Sequence, residues 1–127
     1  MTARMPTFGS VTPILRIFDE AKAREFYVEF LGCKLEFEHR FGEKFPLYMG
    51  LSLSNCRLHL TEHYGDCCPG AHIRIETDAI DEFLATLRAK DYRYAKPGEP
   101  QTTPWKSREL TISDPFGNRL TFVQLAA

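Results

Sequence analysis

The chain has 127 residues, 43% of them apolar and 26% charged, with a formal net charge of -1. That size and apolar fraction suit one domain with a full core, and the near-neutral balance leaves no basic footprint for a nucleic-acid backbone. No apolar run approaches the ~20 residues that span a bilayer, and Met1–Ser10 has one Arg and no hydrophobic stretch of the kind a secretory signal carries. No membrane partner and a cytoplasmic location are therefore expected.

In chain order, Val11–Phe18 alternates and is rich in β-formers, which predicts a strand. Asp19 can cap a following helix, in which Ala23, Phe26, Tyr27, Phe30 and Leu31 make one apolar stripe and Gly32 supplies the stop. Three short strands are predicted next, over Lys34–Phe41, Phe45–Ser52 and Arg57–Glu62, with turns at Gly42-Glu43-Lys44 and Ser54-Asn55. His63–Gly70 has two Gly, one Pro and no periodicity, so it reads as a connector. It holds Cys67 and Cys68; with Cys33 and Cys56 they make four cysteines, none in a Cys-x-x-Cys spacing. Reduced thiols are expected, since neighbouring cysteines have poor geometry for an ordinary bridge.

The order then restarts. Ala71–Glu76 predicts a strand, and Asp78 the cap of a helix carrying Ile80, Phe83, Leu84 and Leu87 at helical spacing. Tyr92–Ala95 predicts a short strand, and Pro97–Lys106, with three prolines, a long loop. Arg108–Ser113 and Arg119–Gln124 predict strands joined by Asp114-Pro115-Phe116-Gly117-Asn118, a turn in which Pro fixes φ and Gly allows φ > 0. Strand, helix and three strands thus occur twice, in half-modules of about 11–62 and 71–124. Leu15-Arg16-Ile17 echoes Ile73-Arg74-Ile75, and Arg57–Thr61 echoes Arg119–Val123.

Side chains alternate along a strand. Leu15 and Ile17, Leu58 and Leu60, Ile73 and Ile75, and Leu120 and Phe122 form apolar sets for the helices to cover. The opposite sets hold Thr12, Arg16, His59, His72, Arg74 and Thr121, residues that can line a wet cavity. Tyr48 and Trp105 are candidate aromatic walls for a ligand. Phe45 differs in parity from Tyr48, so both cannot face inward from one regular strand. Arg74 and Arg16 can hold an anionic group or pair with a strand neighbour such as Glu76.

Several segments, in order over Val11–Gln124, resemble the vicinal oxygen chelate superfamily, the glyoxalase/bleomycin-resistance/dioxygenase group, and most of all its bleomycin-resistance-type members. They are Ile17-Phe18-Asp19 with Phe26-Tyr27 and Leu31-Gly32; Arg57-Leu58-His59-Leu60; His72–Asp78; and Arg108–Thr111 running into Asp114–Leu120. The resemblance implies an α+β fold of two βαβββ modules, with curled mixed sheets enclosing a cavity and helices outside. It implies a homodimer with its ligand clefts between subunits.

In the superfamily's enzymes, four inward strand positions hold a divalent metal. By resemblance those positions are Thr12, His59, His72 and Thr121. Only the two histidines are competent ligands, whereas a catalytic site usually takes three. A 2-His-1-carboxylate set fails too. Glu76 lies four residues beyond His72, roughly 13 Å along the strand, and Glu62 has the wrong parity relative to His59 unless the strand bulges.

The reading is a metal-free protein that binds and sequesters an antibiotic or amphipathic metabolite. Thr12, Tyr48, His59, His72, Arg74, Trp105 and Thr121 are its ligand-binding candidates, with no cofactor. A cationic drug such as bleomycin is disfavoured by a near-neutral chain with arginines on its inner faces. The alternative is a divalent-metal lyase, thiol transferase or dioxygenase using Zn, Ni, Mn or Fe with an atypical ligand set. A third possibility is a diverged module that serves only protein association.

Overall fold

The computed structural model describes residues 5–125; of the amino-terminal stretch read above, residues 1–4 lie outside the described residues. The first module opens with β1 (Ile14–Arg16), whose Leu15 is buried together with the following Ile17. The Asp19 carboxylate then accepts the Lys22 N–H at 2.8 Å and starts α1 (Glu20–Ala23), meeting donors the first turn leaves open. The helix widens at once into a π-helical stretch, Arg24–Phe30, where the Leu31 N–H reaches back to the Phe26 carbonyl at 2.9 Å. This looser winding keeps Ala23, Phe26, Tyr27, Phe30 and Leu31 all buried, so the predicted stripe survives a change of helix type. Gly32 leaves at φ +88, a conformation that suits glycine.

β2 (Lys34–His39), β3 (Tyr48–Leu53) and β4 (Cys56–Thr61) complete a sheet of order β1-β4-β3-β2, with β1 parallel to β4 and the other pairs antiparallel. The second module repeats the plan with β5 (His72–Glu76), α2 (Ile80–Ala89), β6 (Gln101–Thr102), β7 (Ser107–Ser113) and β8 (Arg119–Leu125), in the order β5-β8-β7-β6. The sheets are two separate four-stranded sheets and do not close into a barrel.

The repeat is in register. Leu15 pairs with Leu60 and Ile75 with Phe122, and the bond from the Ile17 N–H to the Thr61 carbonyl has its counterpart from Thr77 to Val123, both at 2.9 Å. This aligns Leu15 with Ile75, so the sequence echo of Leu15 with Ile73 is displaced by two residues, an offset that preserves which face is apolar.

Two expectations are corrected in the second module. Asp78 does not cap α2. Ala79 occupies the cap position without a side-chain bond, and the free Ile80 N–H is taken by the Gln124 side-chain oxygen at 2.8 Å. Tyr92–Ala95 forms a turn, because the Tyr92 ring is drawn toward the first module, 4.9 Å from Phe30. The strand that pairs β7 is Gln101–Thr102, inside the predicted loop.

The core lies where the helix stripes meet the apolar sides of the sheets. It includes Leu15, Phe26, Leu58, Leu60, Leu84 and Leu120. Each of these contributes about 1.5–3 kcal/mol by burial.

Candidate functional site

The side of the sheets away from this core carries the polar sets. Because Ile14 pairs with His59 and Arg74 with Thr121, Thr12 stands to His59 as His72 stands to Thr121. The four inward positions therefore form two equivalent pairs, one per module.

On the first sheet, the Tyr48 hydroxyl lies 2.7 Å from His59 Nδ1. Phe37 of β2 packs edge-on to His59 at 5.3 Å and parallel to Tyr48 at 6.3 Å. Its ring covers Gly50, opposite His59 on β3, where an added Cβ would come within 2.1 Å of it. Burial, with Asp66 and Cys67 nearby, holds the Tyr48 phenol above its ordinary value, so it stays a neutral hydroxyl facing the imidazole.

On the second sheet, His72 Nε2 lies 2.7 Å from the Thr121 hydroxyl, which in turn lies 2.8 Å from the Thr111 hydroxyl. Beyond them Arg74 donates twice to Glu109, at 3.1 and 2.8 Å. Glu109 also accepts from the Ser107 hydroxyl at 2.8 Å and from the Trp105 indole N–H at 3.0 Å. These donors, Arg74 first, hold its carboxylate down at about 2. The result is an ionised Glu109 that fixes the orientation of an indole left 65% exposed.

Six of the seven candidates thus fall into three separate groups. Tyr48 joins His59, His72 joins Thr121, and Arg74 joins Trp105 through Glu109. No side-chain hydrogen bond among the described residues links the first sheet's pair to the second sheet's groups. A groove of about 1580 Å³ opens elsewhere, between the start of β1 and the side of β5, and takes in Thr12 and Arg74 from the candidate set together with Leu58, Ile75, Phe83 and Phe122.

Arg74 pairs with Glu109 rather than Glu76. Arg16 turns its guanidinium over the Phe18 ring at 4.6 Å. Glu62 accepts the Leu47 N–H at 2.9 Å, so it is engaged with the backbone on the flank of β3. Phe45 lies outside β3 and is exposed. Sequence reasoning missed Phe37 and Glu109. Glu109 was detectable, being on the polar set of a strand two residues beyond the loop that carries Trp105. Phe37 was obscured by a bulge between Leu35 and Phe37 that resets the parity of β2.

The donor set fits a divalent metal poorly. Of the four superfamily positions only His59 and His72 carry ligand atoms of the usual kind, and one ring nitrogen of each is paired to a neutral hydroxyl. Among the described residues no group of three His, Cys, Asp or Glu side chains is placed to hold an ion.

Comparison with known proteins gives a consistent result. A family model described as a glyoxalase superfamily protein matches residues 2–126. Among solved structures, the chain is similar to TnmS3, an antibiotic-binding protein from Streptomyces sp. CB03234, at 25% identity and a TM-score of 0.76, over 97% of this chain and 100% of that one. It is similar to a glyoxalase/bleomycin resistance protein from the same Streptomyces strain at 26% identity and a TM-score of 0.69, over 87% and 96%. A bleomycin-binding protein complexed with bleomycin shares the fold at 21% identity and a TM-score of 0.72, over 94% and 100%. No curated protein matches the chain.

Proposed function

The chain belongs to the glyoxalase superfamily, and from that premise we propose that it is a metal-free small-molecule-binding protein that sequesters an antibiotic or amphipathic metabolite rather than transforming it. The observation that carries this reading is the pairing at the inward positions. Where a metal enzyme needs converging anionic or imidazole ligands, this chain has His59 facing a phenol and His72 facing a threonine hydroxyl. Such pairs offer donors and acceptors to a ligand without an ion to polarise it. Phe37 and Tyr48 on one sheet, and Trp105 on the other, supply aromatic walls of the kind that bury flat apolar surface. The antibiotic-binding and bleomycin-resistance proteins named above support the same class of ligand.

The active form in this reading is a homodimer, each ligand enclosed between one module of one subunit and the complementary module of its partner. Two features support it. Ile73 and Ile75 are only half-buried beside the open groove, and Met5, Phe8 and Val11 stand 80–89% exposed on the segment that leads to it. A patch of that kind is a normal sign of association.

The test combines metal and ligand titrations. Purified protein should carry no stoichiometric metal, and added nickel or zinc should not raise its melting temperature. A thermal-shift screen of bleomycin and other amphipathic antibiotics should find a ligand whose stabilisation falls in His59→Ala and in Trp105→Ala. Metal binding at micromolar affinity or tighter, abolished by His59→Ala or His72→Ala, would overturn the metal-free reading in favour of a metal-dependent lyase, transferase or dioxygenase.

A further inference from the structure

Each of the two inward imidazoles is tied to a hydroxyl by one ring nitrogen, and the nitrogen differs between the modules. Nδ1 of His59 faces the Tyr48 hydroxyl and Nε2 of His72 faces the Thr121 hydroxyl, both at 2.7 Å. Among the described residues the second nitrogen of each ring has no hydrogen-bond partner in the protein. His72 is exposed, and half-buried His59 leaves no buried polar atom unpaired, so both second nitrogens are open to a ligand. A neutral imidazole has one donor and one acceptor. What the open nitrogen offers is therefore decided at the tied one.

Counting protons settles both rings. Burial, with Asp66 and Cys67 nearby, keeps the proton on the Tyr48 phenol. Among the described residues its hydroxyl has one partner, His59 Nδ1. If Nδ1 carried a proton instead, the phenol proton would face no protein acceptor. On the second sheet the Thr121 side chain is buried, and its hydroxyl touches His72 Nε2 at 2.7 Å and the Thr111 hydroxyl at 2.8 Å. It has a single proton to give. An imidazole nitrogen is a stronger base than an alcohol oxygen, so the proton goes to His72. Thr121 accepts in turn from Thr111, its direct partner on β7, and exposed Thr111 can take its own bonds from water. Each buried donor then has an acceptor.

We propose that His59 presents Nε2–H and His72 presents Nδ1–H to the ligand, which accordingly carries ring nitrogens or carbonyl oxygens at those two points in place of hydroxyl or amine donors. This rests on the cavity reading above, in which the walls around one ligand come from different modules. The repeat uses opposite tautomers to the same end, one N–H donor per wall. A ligand donor at either point meets a second donor and loses its bond to water without replacement.

Long-range proton–nitrogen NMR spectra of the 15N-labelled chain, recorded above the pH at which the rings have lost their second proton, test the donors without any ligand. His59→Gln and His72→Gln assign the signals. His59 should be protonated at Nε2 and His72 at Nδ1. Thr121→Val should release His72 into a mixture of tautomers and Thr121→Ser should restore the Nδ1–H form, with melting temperatures checking both folds. A proton on Nδ1 of His59 or on Nε2 of His72, or averaged tautomers at either ring of the unmodified chain, would overturn the assignment. The ligand class is tested with phenazine, which has two ring-nitrogen acceptors, against acridine, a ring of the same shape with one. Quenching of Trp105 emission should show phenazine bound about 3–10-fold more tightly, an advantage that should vanish in His72→Phe. Phenazine bound no more tightly than acridine would sink the ligand class. Tautomers as assigned, with no ligand found in the thermal-shift screen, would overturn the cavity reading and leave the two donors standing.

Discussion

Glu109 shows how much a single side chain settles. Read along the sequence, it is one more carboxylate on the wet side of a strand. In the fold it collects Arg74, Ser107 and Trp105, and their hydrogen bonds hold it near 2 against an ordinary value of 4.5. A group whose folded value is depressed binds a proton more weakly than it does in the unfolded chain. Its contribution is complete above pH ~4.5 and is lost as the pH falls toward 2. Trp105 is the chain's one tryptophan, so its emission reports this bond directly. The emission should be constant from neutral pH down to the ordinary carboxylate range and shift only as the pH approaches 2. Glu109→Gln should show a changed emission already at pH 7, because an amide cannot hold Arg74 and the indole together in the same way. An emission change centred near pH 4.5 would instead mean that the Arg74–Glu109 pair is broken in solution. At this scale the alternation of the strands was sufficient to place His59, His72, Arg74 and Thr121 on the polar sides. It did not reveal their partners, because pairing depends on which strand lies alongside, and periodicity within one strand carries no information about that.

At the scale of elements, β2 and β3 share one tight approach. Gly50 leaves the space that Phe37 fills, and a Cβ there would meet three ring carbons, the nearest at 2.1 Å. The ring is 45% exposed and lies at the sheet's edge, so it can swing outward instead of forcing the backbone apart. Gly50→Ala should therefore cost only about 1 kcal/mol. It should nevertheless remove Phe37 from its contacts with Tyr48 and His59. Ligand affinity should drop more in Gly50→Ala than in Phe37→Leu, which keeps an apolar group over the glycine, and calorimetric titration of both variants with a ligand from the screen would compare them. Equal affinities would exclude Phe37 from the wall. The elements legible in the sequence are those whose periodicity is strong: both amphipathic helices, and the strands where leucines alternate with polar residues. Tyr92–Ala95 failed because its Tyr92 ring packs on the other module's Phe26 and Phe30. Gln101–Thr102 failed for the opposite reason. With neighbouring prolines and no apolar residue of its own, it becomes a strand only by pairing with Arg108 and Glu109, a tertiary effect that local propensity does not contain.

For the whole molecule, the question is what makes two similar modules one cooperative unit. The turn Asp114–Asn118 reads as a local device that reverses the chain, and it does so, with Asp114 accepting from the Phe116 and Asn118 N–H groups at 2.8 Å. The same residues also join the halves. The Tyr27 hydroxyl, buried in the first module's helix, donates to Asp114 at 2.5 Å, and the Asn118 side-chain amide donates to the Arg16 carbonyl at 2.9 Å while its oxygen accepts the Ala71 N–H at 3.1 Å. Burial, and then the adjacent carboxylate, hold the Tyr27 phenol above its ordinary value, so it remains a donor at any pH the fold survives. At the far end of that helix, the Lys90 ammonium caps the carbonyls of Glu29 and Phe30 at 2.8 and 2.7 Å. Tyr27→Phe keeps the packing and removes one donor from a buried carboxylate, which should cost about 1.5–3 kcal/mol. Asn118→Ala should cost more, since it breaks the bonds to both Arg16 and Ala71 as well as one to Asp114. If these contacts couple the modules, urea unfolding of both variants should remain one transition, with a lowered midpoint and an unchanged slope. Two separated transitions in Asn118→Ala, with none in the unmodified chain, would show that the modules fold on their own and that the turn only docks them.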